Sequence, residues 1–159
     1  MGQIATVPSA GAVLFIRTSD HCPPHLHAAN TQRGWEIRIF FSYASIEIGF
    51  NIKWGKPSKA EIAECMEEAW ARIDDCRAQW WDTFKTVCLD NKQVEIKSGV
   101  LEEVPLQKRP RRAKSGKNAN KPPVVPAVLT VASAAYRPAM KSIDFTAVGT
   151  GAKYTGQCP

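Results

Sequence analysis

The seven residues His21, Cys22, Pro23, Pro24, His25, Leu26 and His27 gather three imidazoles and a thiol, and the chain carries no further histidine. Imidazole titrates near neutrality and ligates metals readily, so acid–base chemistry, metal binding or phosphate contact is sought here first. Two prolines stiffen the run, because proline fixes φ at about −65° and keeps the residue before it extended. Ser19 and Asp20 turn the chain into this run, which reads as a rigid extended corner. Past Pro24, the spacing of two puts His25 and His27 on the same face of a strand.

The leading chemistry for this corner needs no metal. Two imidazoles in different environments can deprotonate a ribose 2′-hydroxyl and protonate the leaving oxygen. On this reading His25 and His27 are the acid–base or phosphate-contacting groups and His21 orients them. A second reading joins His25 and His27 to His21 or Cys22 as nitrogen and sulfur donors for zinc or another transition metal. No cofactor is the favoured expectation. The plain alternative is a structural corner whose histidines cap backbone groups, and the residues alone leave all three open.

Two sets of charges surround this choice. Glu36, Arg38, Glu47 and Lys53 fall on one face of an alternating hairpin, ordinarily a solvated surface. If the corner packs over that face, Arg38 and Lys53 can hold a phosphate and Glu36 can orient an imidazole. The second set is Lys108, Arg109, Arg111, Arg112, Lys114, Lys117 and Lys121, with no acid between them. The chain has 21 basic and 15 acidic residues, a net +6, so without these seven the remainder is near neutral. Lys108, Arg109, Arg111 and Arg112 are therefore candidate nucleic-acid contacts, unselective for sequence, with a solubilising linker as the alternative.

The elements that must position these residues follow from periodicity. Residues 1–10 carry little pattern and read as frayed. Val13 to Ile16 is a continuous apolar run, a buried strand. Ala28 to Gly34 is small and polar, a loop or hairpin connection. Trp35, Ile37, Ile39 and Phe41 alternate with polar residues, and Ile46, Ile48, Phe50, Ile52 and Trp54 repeat the alternation across a short link at 42–45. This predicts an antiparallel hairpin with one buried face. Ser58 and Glu61 have the spacing of a capping box, and Ile62, Met66, Trp70, Ile73, Trp80, Phe84 and Val87 follow at helical spacing. The helix runs to about Val87, broken or not near Asp74-Asp75, and its apolar stripe covers the sheet. Gln93 to Lys97 is one more short strand.

The expected fold is α+β: a small, mostly antiparallel β-sheet packed against one long or broken amphipathic helix, with a basic linker and a C-terminal tail. The expected organisation is a domain at 1–104 carrying the His/Pro corner, a basic disordered linker at 105–123, and a tail or small appended β segment at 124–159. Such a linker has too little apolar surface to offset its ordering entropy. The five cysteines are scattered, without a Cys-x-x-Cys pair or a signal-peptide pattern. Free thiols in a reducing cytoplasm are expected. No apolar run reaches the roughly 18 residues of a membrane span. There is no Gly-rich phosphate loop, Walker lysine or Ser/His/Asp signature.

The order of features is itself informative. A strand, then His21-x-Pro23-Pro24-His25-x-His27, a hairpin, Lys56-Pro57, an amphipathic helix ending in Trp80-Trp81 and a closing strand resemble the domain-of-unknown-function 4160 family over about residues 11–97. His21, Pro23, Pro24, His25 and His27 match its signature. The resemblance implies a small α+β protein of a bacterial toxin–antitoxin or phage-conflict pair, with a cognate protein partner. The expectation that follows is a toxin-like protein acting on RNA through its histidines, a metal-independent endoribonuclease. The alternatives are a non-enzymatic antitoxin or inhibitor that docks through an apolar hairpin or tail, and a metal-binding protein using the corner. The hairpin is longer and more apolar than the family's, and the basic run and C-terminal segment are extra.

Overall fold

A computed structural model describes residues 2–104 and 128–159. The basic linker expected at 105–123, with Lys108, Arg109, Arg111 and Arg112, lies outside the described residues. The first half of the chain is a five-stranded antiparallel meander, with strands β1 (Gly2–Val7), β2 (Ala12–Ile16), β3 (His25–Asn30), β4 (Trp35–Phe40) and β5 (Gly49–Trp54) in spatial order. Two helices follow, α1 (Lys59–Ala71) and α2 (Ile73–Phe84). The remaining strands are β6 (Gln93–Lys97), β7 (Val100–Glu103), β8 (Leu129–Arg137), β9 (Ser142–Ala147) and β10 (Lys153–Gln157). They close a barrel in the order β10-β7-β6-β8-β9. The mixed α+β class is as expected; the architecture is richer.

The alternation of Trp35, Ile37, Ile39 and Phe41 does what its period of two dictates, and all four side chains are buried. Leu14, Ile16, Leu26 and Ala28 join them beneath the helices. Ser58 caps α1 as expected: its hydroxyl accepts from the Glu61 N–H while the Glu61 carboxylate accepts from the Ser58 N–H. The helical stretch is two helices, and the break falls at Arg72 (φ −115°), just ahead of the two aspartates. It ends at Lys85, whose left-handed backbone donates to the Trp81 carbonyl. Trp80 is wholly buried, whereas Trp70 is exposed and not part of the expected core stripe.

Four other expectations are corrected. Residues 2–7 are not frayed but pair with β2, and a register shift between Gln3 and Ala5 breaks the period that would have marked a strand. The small residues Ala28, Ala29 and Asn30 extend β3, and the connection shrinks to a turn closed by the Gly34 N–H on the Asn30 carbonyl. The second strand of the hairpin starts at Gly49, and all six of its residues are exposed. Its C-terminal turn at Gly55 has φ +79°, and a Cβ there would lie 2.2 Å from the Gly34 carbonyl oxygen, so glycine is obligatory. Last, the thiols are not all free: Cys22 and Cys88 form a disulfide with Cα atoms 5.7 Å apart, tying the corner to the segment after α2. Cys65 and Cys76 are buried thiols and Cys158 is half-buried.

The segment after residue 128 shares its barrel with β6 and β7 of the preceding segment. A buried guanidinium joins the two sheets. Arg77 on α2 donates to the Ser42 carbonyl from Nε (3.0 Å) and Nη2 (2.8 Å), and to the Pro159 carbonyl from Nη1 (3.0 Å). Tyr43 packs edge-on against Tyr136 of β8. No helix among the described residues is long and apolar enough to cross a membrane.

Candidate functional site

The corner folds back over the sheet because its own backbone is satisfied on both sides. Asp20 N–H donates to the Arg17 carbonyl and Arg17 N–H donates to Asp20 Oδ2, at 2.8 Å, closing a tight turn after β2. The Cys22–Pro23 peptide is cis. The Pro24 carbonyl accepts from the Phe41 N–H, and β3 then pairs with β4 from His25 opposite Phe40 to Asn30 opposite Trp35. The turn therefore leaves Asp20 Oδ1 facing the two imidazoles of β3.

Both rings are buried, and every ring nitrogen faces an oxygen. His25 Nδ1 lies 2.9 Å from the Pro23 carbonyl oxygen, which can only accept, so Nδ1 carries the proton. His25 Nε2 then carries a lone pair; it lies 3.4 Å from Asp20 Oδ1. It has no hydrogen-bond partner among the described residues. His27 Nδ1 lies 2.8 Å from Glu36 Oε1, and Nε2 lies 3.0 Å from the same Asp20 Oδ1. Phe15 stacks on His27, and Phe40 and Trp80 flank His25. Asp20, His25 and His27 thus aim three ligand-capable atoms at one point, all within 4.8 Å of one another.

Glu36 is the second carboxylate of the cluster and the more heavily bonded. Oε1 meets His27 and, at 3.1 Å, Lys53; Oε2 accepts from Arg17 (2.7 Å) and from the Trp54 indole (3.2 Å). Burial pushes its carboxyl upward, but the bonds from Lys53 and His27 and the Arg17 charge hold it below the usual range. Asp20 follows the same pattern: burial raises it, and the His27 bond and the Arg17 N–H outweigh burial. Burial is also the main reason that His25 titrates below the ordinary imidazole value, against the pull of the Pro23 carbonyl and Asp20. His25 is therefore neutral at neutral pH.

Of the histidines named from sequence, His25 and His27 come together, whereas His21 is exposed, its ring edge-on to His25 at 6.2 Å between centroids. Glu36 does orient an imidazole. Lys53 is spent on Glu36, and Arg38 is half-buried with its Nε unpartnered among the described residues. A groove of about 600 Å³ lies on the barrel between β8, β9 and β10, away from the histidines. Sequence reasoning gave Asp20 only a turn role and overlooked Arg17 and Trp54. The signal for Asp20 was its place beside His21, in the same corner.

A second feature adjoins this cluster. Phe50 and Ile52 of β5 stand opposite Ile39 and Ile37 and continue their apolar face outward. Ile37 and Ile39 are wholly buried, but Phe50 and Ile52 are 44% and 50% exposed. α1 contacts β1, β2 and β4, and α2 contacts β1, so the helices lie over the β1–β4 part of the sheet. Among the described residues β5 pairs only with β4, which leaves its outer backbone edge open.

The chain matches no protein-family model, no curated protein and no solved structure.

Proposed function

We propose that the chain is a protein-binding module, the antitoxin- or inhibitor-type member of a bacterial conflict pair, and that it takes an extended strand of its partner along the outer edge of β5. The observation that carries this reading is the exposure of Phe50 and Ile52 on a strand whose outer edge is unpaired among the described residues. A flat apolar edge invites uncontrolled pairing, and natural proteins blunt or cover such edges. Strand addition satisfies the backbone groups of the edge, while alternate side chains select the partner. Ile46, just before β5, is 63% exposed as well.

The toxin-like ribonuclease reading has less support. An acid–base pair must reach the hydroxyl and the leaving oxygen within hydrogen-bond distance. His25 and His27 are buried, and each of their ring nitrogens already faces an oxygen of Pro23, Asp20 or Glu36.

The test is a binding measurement between the purified chain and the protein encoded beside it, with light scattering and an RNA-integrity assay in parallel. The expected result is a one-to-one complex that loses at least about tenfold in affinity with Phe50→Asp or Ile52→Lys. Folding stability of these surface variants should change by no more than about 0.5 kcal/mol. Unchanged affinity, a homodimer held through β5, or histidine-dependent RNA cleavage would each contradict the reading.

A further inference from the structure

We infer that Asp20, His25 and His27 form a binding site for one divalent first-row transition metal ion, with Glu36 and the Pro23 carbonyl as its outer supports. This inference is independent of the docking surface. It starts from an anomaly: His25 Nε2 is buried, bears a lone pair, and faces a carboxylate oxygen 3.4 Å away. Asp20 Oδ1 has His27 Nε2 at 3.0 Å, but His25 Nε2 is left an unsatisfied buried acceptor facing another acceptor, which is costly. The Pro23 carbonyl holds the ring proton on Nδ1, so a change of tautomer would only move the orphan. A cation between Nε2 and Oδ1 satisfies both atoms.

The supports have the form that metal sites use. A ligating histidine characteristically donates its other ring N–H to a carboxylate or a backbone carbonyl, which fixes tautomer and orientation. Here His25 has the Pro23 carbonyl at 2.9 Å and His27 has Glu36 at 2.8 Å, and both Nε2 atoms face Asp20 Oδ1. The second oxygen of Asp20 is engaged by the Arg17 N–H, so Oδ1 is held in direction too. The spacing also fits. Ligands about 2.1 Å from a metal lie about 3.0 Å apart at a right angle and about 3.4 Å apart at the tetrahedral angle. The observed separations from Oδ1 are 3.0 Å to His27 and 3.4 Å to His25. Without a metal, a proton on His27 Nε2 would bridge to Asp20, but nothing among the described residues would serve His25 Nε2.

Two imidazoles and one carboxylate select zinc and its neighbours over calcium or magnesium, which take oxygen ligands. The three sit on a turn and one strand, so the metal would lock the corner onto the sheet. Three protein ligands leave a fourth position.

The experiment uses the full chain, purified without a histidine tag and stripped with chelator. It is titrated with Zn(II) by calorimetry and with Co(II) by visible absorption, and thermal unfolding is followed with and without Zn(II). The expected result is one metal per chain, a rise in unfolding temperature, and Co(II) bands without the thiolate charge transfer that Cys65, Cys76 or Cys158 would give. Asp20→Asn and His27→Gln should weaken binding more than 100-fold, and Glu36→Gln by 10- to 100-fold. Circular dichroism checks that each variant folds; the parent's stoichiometry and spectrum decide the question if one does not. Substoichiometric metal, a thiolate band, or an unfolding temperature indifferent to Zn(II) would overturn the site and leave a hydrogen-bonded histidine–carboxylate core.

Discussion

Glu36 Oε1 holds His27 Nδ1 at 2.8 Å from a diagonal position on the neighbouring strand, where Glu36 is paired with Ala29 and His27 with Arg38. The same carboxylate accepts from Lys53 and Trp54 of β5. One side chain therefore ties the buried histidine cluster to the strand that carries the proposed docking edge.

Replacing that carboxylate should be costly. Glu36→Gln leaves Arg17 and Lys53 without their counter-charge and His27 Nδ1 without an ionised acceptor. Arg17 and Lys53 are about a third exposed and stay solvated, so the cost is that of the lost charge-assisted hydrogen bonds, about 1.5–3 kcal/mol. Urea unfolding of the parent and Glu36→Gln chains checks this. A loss below about 0.5 kcal/mol would mean that Glu36 does not organise the site.

Acid should weaken the metal-free fold in two steps. His25, Asp20 and Glu36 all titrate lower in the folded chain than their ordinary values of 6.5, 3.8 and 4.5. As pH falls through each of those values, the unfolded chain takes up protons that the folded chain still refuses. More protons bound by the unfolded state means that stability declines with falling pH. The urea midpoint of chelator-treated protein should therefore drop below about pH 6.5, through His25, and again below about pH 4.5. A His25→Asn variant should lack the upper step. A midpoint that holds or rises between pH 7 and pH 5 would contradict the assignment.

Much of this arrangement was legible in the chain. The period of two at Trp35 to Phe41 gives the central strand, Ser58 with Glu61 gives the helix start, and the shared face of His25 and His27 follows from their spacing. What was not legible depends on contacts distant in sequence. Alternation says which residues of β5 share a face with Ile37 and Ile39, but not that the helices stop short of Phe50 and Ile52. Pro138 and the glycines of the C-terminal segment hide strands whose partners, β6 and β7, lie across the basic run. Asp20 reads as a turn residue until the turn is folded over β3. Arg77 looks like one more charge on an amphipathic helix, yet it is wholly buried because bonds to the Ser42, Ser45 and Pro159 carbonyls replace its water.

The cysteine pairing was hidden for the same reason, since Cys22 and Cys88 are 66 residues apart. Closing a loop of that length removes roughly 4 kcal/mol of unfolded-chain entropy. Reduction, or the Cys22→Ser variant, should therefore lower the unfolding temperature, and a thiol assay on the denatured chain should count three free cysteines before reduction and five after. Five thiols without reductant would show that the bond does not form.

The most direct test of the metal site reads the two rings in the parent chain. Long-range proton–nitrogen spectra of nitrogen-15-labelled protein resolve Nδ1 from Nε2 in each histidine, before and after one equivalent of Zn(II). The account predicts that Nε2 of His25 and His27 shift together while both Nδ1 atoms stay protonated on Pro23 and Glu36, with His21 unmoved. Unchanged Nε2 signals, or a shift confined to His21, would contradict it.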